Sequence, residues 1–202
     1  MSDKFKNKYR IESARLQSWD YGNNGAYFIT ICTKNREHFF GVITNEEMHL
    51  NETGKLADEY WVDIPNHYPF IELGNYTVMP NHVHGILIIE KSDFDKYVDG
   101  TNKDSDVGGG DAINRVCTDK RGGVTGEKNP MFYDNISRII RWYKGRCTFE
   151  IHKINPGFGW PPRFHDHILR DAGSFERIQN YIADNPKKWN SDKFYKKRRL
   201  KK

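Results

Sequence analysis

Long apolar runs are missing from this chain of 202 residues. No stretch approaches the roughly 18 apolar residues of a membrane-spanning helix, so no membrane partner is expected. Cysteine is scarce: Cys32, Cys117 and Cys147 are odd in number, far apart and never in a CxxC pair. That excludes a disulfide framework or a zinc ribbon and fits reduced thiols. The N-terminal MSDKFKNKYR lacks the apolar centre of a secretory signal, which together with the thiols points to a cytoplasmic protein. Acidic residues are nearly absent from one place only. Residues 187–202, KKWNSDKFYKKRRLKK, hold nine Lys or Arg against one Asp, so a net charge of +5 conceals a basic end on an otherwise slightly acidic chain. Such an end attracts a polyanion through counterion release, and Trp189, Phe194 and Tyr195 add faces on which bases can stack. The bland alternative is a solvated terminus.

What is present suffices for a packed domain, because 37% of the residues are hydrophobic and 14% aromatic. GAYFITICT (25–33) is a β-prone run between turn signals. In NETGKLADEYWVDIP, Leu56, Tyr60 and Ile64 recur at helical spacing, with Asn51 or Thr53 to cap the helix and Pro65 to stop it. FIELGNYTVMP predicts a strand, and Pro80-Asn81 a tight turn into HVHGILII, so the two should form an antiparallel hairpin. Residues 91–130 contain seven Gly, eight Asp or Glu and seven Lys or Arg, including DSDVGGGDA, and read as a mobile insertion. Phe132, Ile136, Ile139, Ile140, Tyr143 and Cys147 mark a second helix. FGWPPRFHDHILR becomes strand-like after its prolines. Phe175, Ile178 and Ile182 form the stripe of a last helix that ends at Asn185-Pro186.

The order β-α-β-β-(insertion)-α-β-α predicts an α+β, ferredoxin-like sheet of the split βαβ type, with helices on one face. By the period of two, His82, His84, Ile86 and Ile88 share one side of their strand. Two isoleucines there demand a cover, and the C-terminal helix is the element free to supply it.

Two imidazoles one residue apart on a strand open into one space and can present two metal ligands from rigid backbone. Satisfied structural histidines are the alternative. Two ligands need a third. His165 and His167, a second His-x-His in RFHDH, would give an all-histidine zinc site. Glu90 lies too far along the strand. Asn185 stands one turn after Tyr181, so those two side chains share a helix face.

MPNHVHGILI, WPPRFHDH and YIADNP together resemble the REP-associated tyrosine transposases, within the single-tyrosine HUH class (His, bulky apolar residue, His). The resemblance spans about residues 25–189, so 1–190 is expected to form a single domain interrupted by the 91–130 insertion, with 191–202 as a basic tail. It implies a transposase that cleaves and rejoins single-stranded or hairpin DNA through a 5′-phosphotyrosine. Tyr181 would be the nucleophile, and His82, His84 and Asn185 would hold Mg²⁺ or Mn²⁺ on the scissile phosphate. Related insertion-sequence transposases usually carry Gln where this chain has Asn185. The resemblance leaves open a monomer using its tyrosine in cis or a homodimer exchanging the tyrosine helix. Imidazole ligands lean toward Mn²⁺.

Arg138, Arg141, Lys144, Arg163, Lys187 and Lys188 are the candidate phosphate contacts, weighed against an ordinary charged surface. Asp166 and His167 are candidates to orient a ligand from behind. Trp142, Trp160 and Trp189 are possible stacking platforms, with core or loop anchoring as the alternative. A catalytically silent nucleic-acid-binding module on the same sheet is the second functional reading.

Overall fold

A computed structural model describes residues 19–92 and 134–195. Most of the 91–130 insertion, Cys117, Phe132 and the end of the basic tail lie outside these described residues.

Four strands make the main sheet: β1 (Gly25–Cys32), β4 (Ile71–Met79), β5 (His82–Ile89) and β6 (His165–Leu169), in the order β4-β5-β1-β6. All neighbours run antiparallel. This is the expected split βαβ arrangement, with the two most apolar strands, β5 and β1, in the middle where they are buried on both faces. A β-bulge interrupts β4 between Leu73 and Tyr76. Side-chain alternation divides the residues between two layers. Tyr27, Ile29, Ile31, Val83, Leu87 and Ile89 face α1 (Glu52–Val62), α2 (Ile64–His67) and α3 (Ile136–Ile151), forming the larger core with Trp61, Ile139, Ile140 and Tyr143. Phe28 and Ile86 point the other way, against α4 (Ala172–Asp184), whose Phe175, Ile178 and Ile182 close a smaller core with Leu169. The last helix does cover the histidine face.

Local chemistry explains the boundaries. Asn51 caps α1 by accepting from the Gly54 N–H. Asn135 caps α3 by accepting from Ser137 and Arg138, and Asp171 with Ser174 forms a capping box on α4. α1 stops at Asp63, not at Pro65. The proline lies in the first turn of α2, where its missing N–H costs nothing. The deepest stripe of α1 runs through Gly54, Ala57 and Trp61, with Leu56 and Tyr60 on its flank. Gly85 is the residue that lets Trp61 lie against β5, since a Cβ there would come within 2.2 Å of the indole ring.

One element is absent from the sequence reading: a small hairpin of β2 (Gly41–Thr44) and β3 (Glu47–Leu50). Its turn places Asn45 and Glu46 at φ 53° and 65°. Both central residues are left-handed, as in a type I′ turn, but Asn-Glu lacks the glycine that usually signals one.

Candidate active site

β5 begins with the histidine pair. Both side chains are almost fully enclosed, His82 at 0% and His84 at 1% exposure, and their ring centroids are 4.3 Å apart. Cross-strand pairing sets what surrounds them. Thr30 lies opposite His84 on one side and His165 on the other, and Cys32 lies opposite His82. Thr30 Oγ1 is 2.8 Å from His84 Nδ1, and Asn81 Oδ1 is 2.8 Å from His82 Nδ1. Phe28 stacks on the His84 ring at 5.2 Å.

α4 brings Tyr181 and Asn185 to the same place. The phenolic oxygen lies 3.3 Å from His84 Nε2 and 3.5 Å from Asp192 Oδ2. The Asn185 amide nitrogen donates to Asp192 Oδ2 at 3.2 Å. The described start of the basic end, 187–195, folds back over the pair. Trp189 and Phe194 are buried, and the Phe194 ring sits 4.7 Å from that of His82. Arg36 and Lys193 flank the Phe194 ring at 5.1 and 4.9 Å.

Burial drives the electrostatics. It pushes the His82 imidazole down to about 3, with the nearby Lys193 and Arg36 charges acting in the same direction and Asn185 opposing. His84 is held well below its ordinary value, first by burial and then by His82, with Asp192 opposing. Both rings are therefore neutral at physiological pH and carry a lone pair each. The Tyr181 phenol is raised, first by burial and then by Asp192. Without help it is a poor nucleophile.

The donor set fits a divalent ion. The His82 Nε2 and Asn185 Oδ1 atoms are buried and receive no hydrogen bond. Ligand atoms of His82, His84 and Asp192 lie within 4.8 Å of one another, the only such His/Cys/Asp/Glu group among the described residues. A buried acceptor with no donor costs about 1–3 kcal/mol, and a bound cation would remove that cost.

Other expectations fare differently. His165 and His167 lie on the same sheet face but are exposed and outside this group, so the four histidines do not converge. Asp166 pairs in register with Ile29 and so projects to the opposite layer. The ring Nδ1 atoms are engaged by Asn81 and Thr30, not by Asp166 or His167. Arg138, Arg141 and Lys144 ride on α3, which packs on the sheet face opposite the one covered by Tyr181. Arg138 pairs with Asp134 at 2.9 Å, and Lys144 donates to the Pro161 carbonyl at 2.6 Å. Lys187 and Lys188 both pair with Asp184, at 3.9 and 3.0 Å, and Lys187 is not among the residues lining the cleft. Arg163 and Lys188 do line the cleft of about 1350 Å³ that opens at Tyr181, together with Arg36 and Lys193. Trp160 packs against Phe40 and Phe158, and Trp142 against His67. Neither Asp192, the single acid within a basic run, nor Thr30 was a sequence candidate: the first reaches the site by a fold-back and the second by strand order.

No family model matches the chain. An uncharacterised protein of Haemophilus influenzae is 32% identical over 188 residues, covering 91% of this chain and 92% of the relative. The chain belongs to that protein's family. Among solved structures, a REP-associated tyrosine transposase bound to a REP hairpin matches with a TM-score of 0.53. The match covers 90% of this chain and 77% of that one, at 18% identity. The chain has the REP-associated tyrosine transposase fold. A transposase-like protein of Deinococcus radiodurans aligns more loosely, with a TM-score of 0.41 over 85% of this chain and 97% of that one at 16% identity, and adds no argument.

Proposed function

We propose that this chain is a transposase, a metal-dependent single-tyrosine strand transferase that cleaves and rejoins single-stranded or hairpin DNA. The observation that carries the reading is the 3.3 Å approach of the Tyr181 hydroxyl to His84 within one chain. The printed partner of the structural neighbour, a REP hairpin, supports DNA as the substrate class.

His82 Nε2, His84 Nε2 and Asn185 Oδ1 would hold Mg²⁺ or Mn²⁺. Asn185 is preferred over Asp192 because its oxygen is bare, whereas both Asp192 oxygens accept hydrogen bonds, Oδ1 from the Phe194 N–H and Oδ2 from Asn185. When bound, such an ion acts as a Lewis acid on the phosphate oxygens and so lowers the demand on a phenol that ionises near pH ~10. Tyr181 attacks phosphorus, a Tyr–O–P bond forms, and the 3′-oxygen leaves to become a hydroxyl. The reverse attack by a 3′-hydroxyl rejoins a strand without ATP. With His84 Nε2 committed to the ion, Asp192 is the remaining acceptor for the phenolic proton. Arg36, Arg163, Lys188 and Lys193 at the cleft counter the phosphate charge.

The tyrosine is proposed to act in cis. Only Arg170 and Asp171 connect β6 to α4, and the capping box fixes the helix start. That connection is too short to deliver the helix to a second subunit.

A denaturing gel tests the reading. The protein is incubated with labelled hairpin oligonucleotides and Mn²⁺, and a denaturation-resistant adduct is expected that Tyr181→Phe abolishes and EDTA prevents. Retarded DNA on a native gel with no adduct from any hairpin would instead indicate a catalytically silent nucleic-acid-binding module.

A further inference from the structure

Asn81 closes the turn before His82 and is itself fully buried. Its amide nitrogen donates to the Phe194 carbonyl at 2.8 Å and to the Arg36 carbonyl at 3.3 Å. Carbonyl oxygens only accept, so the amide has one admissible orientation, and its oxygen is the atom facing His82 at 2.8 Å. An amide oxygen also only accepts. The proton of a neutral His82 must then sit on Nδ1, and its lone pair on Nε2, the buried atom that receives no hydrogen bond. His84 is not constrained in this way, because the Thr30 hydroxyl both donates and accepts.

We infer that Asn81 is a positioning residue that locks His82 in the Nδ1–H tautomer and so presents Nε2 as a ligand for the divalent ion. The inference rests on the proposed function for its metal half, while the tautomer half follows from hydrogen bonding alone. Three segments meet on this one side chain: β5 through His82, the turn at Arg36, and the cover at Phe194. The amide oxygen sets the ring and the amide nitrogen sets the cover, so substitutions separate the two tasks. Asn81→Asp keeps an acceptor for Nδ1–H and forfeits the donor to Phe194. Asn81→Ala removes both.

The test uses full-length protein labelled with nitrogen-15 histidine, with His82 signals assigned by their loss in His82→Gln. Long-range nitrogen–proton spectra of the metal-free protein should show His82 with a protonated Nδ1 and a bare Nε2. Mn²⁺ affinity, read by electron paramagnetic resonance, should fall about ten- to a hundred-fold in Asn81→Ala and stay near wild type in Asn81→Asp. Finding His82 protonated on Nε2 in the wild type overturns the inference whether or not the variants fold. Wild-type Mn²⁺ affinity in a folded Asn81→Ala protein overturns it as well, as does an equal loss in Asn81→Asp. A wild-type protein that shows the Nδ1–H tautomer but no saturable Mn²⁺ binding sinks the proposed metal function and leaves the tautomer lock standing.

Discussion

Burial holds the imidazoles of the site in their neutral form, and that preference is measurable as a pH dependence of stability. His82 ionises near 3 in the folded chain, against about 6.5 in an unfolded one. The folded state therefore refuses a proton that the unfolded state takes up. The sign follows: this histidine costs nothing above pH ~6.5, and stability falls as the pH drops from there toward 3. The slope is about 1.4 kcal/mol per pH unit for such a group. In EDTA, urea midpoints measured from pH 7 to pH 4 should decline, and His82→Gln should decline less steeply. Equal slopes would show that the imidazole is not shielded as its burial implies. The cleft cations allow a second prediction. Arg163→Ala and Lys188→Ala should each weaken binding of every hairpin alike and reduce the slope of log affinity against log salt by about 1. Arg138→Ala, across the sheet, should leave that slope at the site unchanged.

At the level of elements, α4 and β5 decide the outcome. Gly85 has no room for a methyl group, because Trp61 from α1 fills the space. Gly85→Ala should cost about 1–3 kcal/mol, visible as a lower melting temperature, through displacement of a side chain in a packed core. An unchanged melting temperature would mean that the indole yields freely. The short β6–α4 connection predicts that tyrosine and histidines of one chain work together. Mixing Tyr181→Phe with His84→Ala protein should not restore adduct formation. Recovery toward half of wild-type activity would instead indicate exchanged helices. These elements were readable in the sequence because their periodicities are strong, as in the Phe175-Ile178-Ile182 stripe and the alternation of HVHGILII, while the α1 cap stayed open between Asn51 and Thr53 until the structure assigned it to Asn51. The β2–β3 hairpin was not readable, since its left-handed turn is made by Asn-Glu and its strands are only four residues each. Pro65 misled because a proline ends one helix and opens another equally well.

Across the whole molecule, the placement of the site follows from topology. The His-x-His pair needed a cover, and the order of elements left α4 as the one available, so Tyr181 and Asn185 could be anticipated together with the histidines. Asn81, Thr30 and Asp192 escaped notice because each reaches the site through a turn, a strand pairing or a fold-back that no local pattern announces. The lysines and arginines of α3 could not be placed relative to the site from sequence, since an amphipathic pattern shows which side is wet but not which face of the sheet the helix covers. The same topology makes the central claim a chemical one: a single phosphate is shared by the Tyr181 oxygen and the two rings of β5. Mass spectrometry of the adduct trapped from a hairpin oligonucleotide and Mn²⁺ reads this most directly, after digestion of protein and DNA. The predicted result is one modified tryptic peptide, IQNYIADNPK (178–187), carrying a nucleotide 5′-phosphate on Tyr181. A nucleotide attached to any other side chain, or a Tyr181→Phe protein that still yields the adduct, would contradict the account.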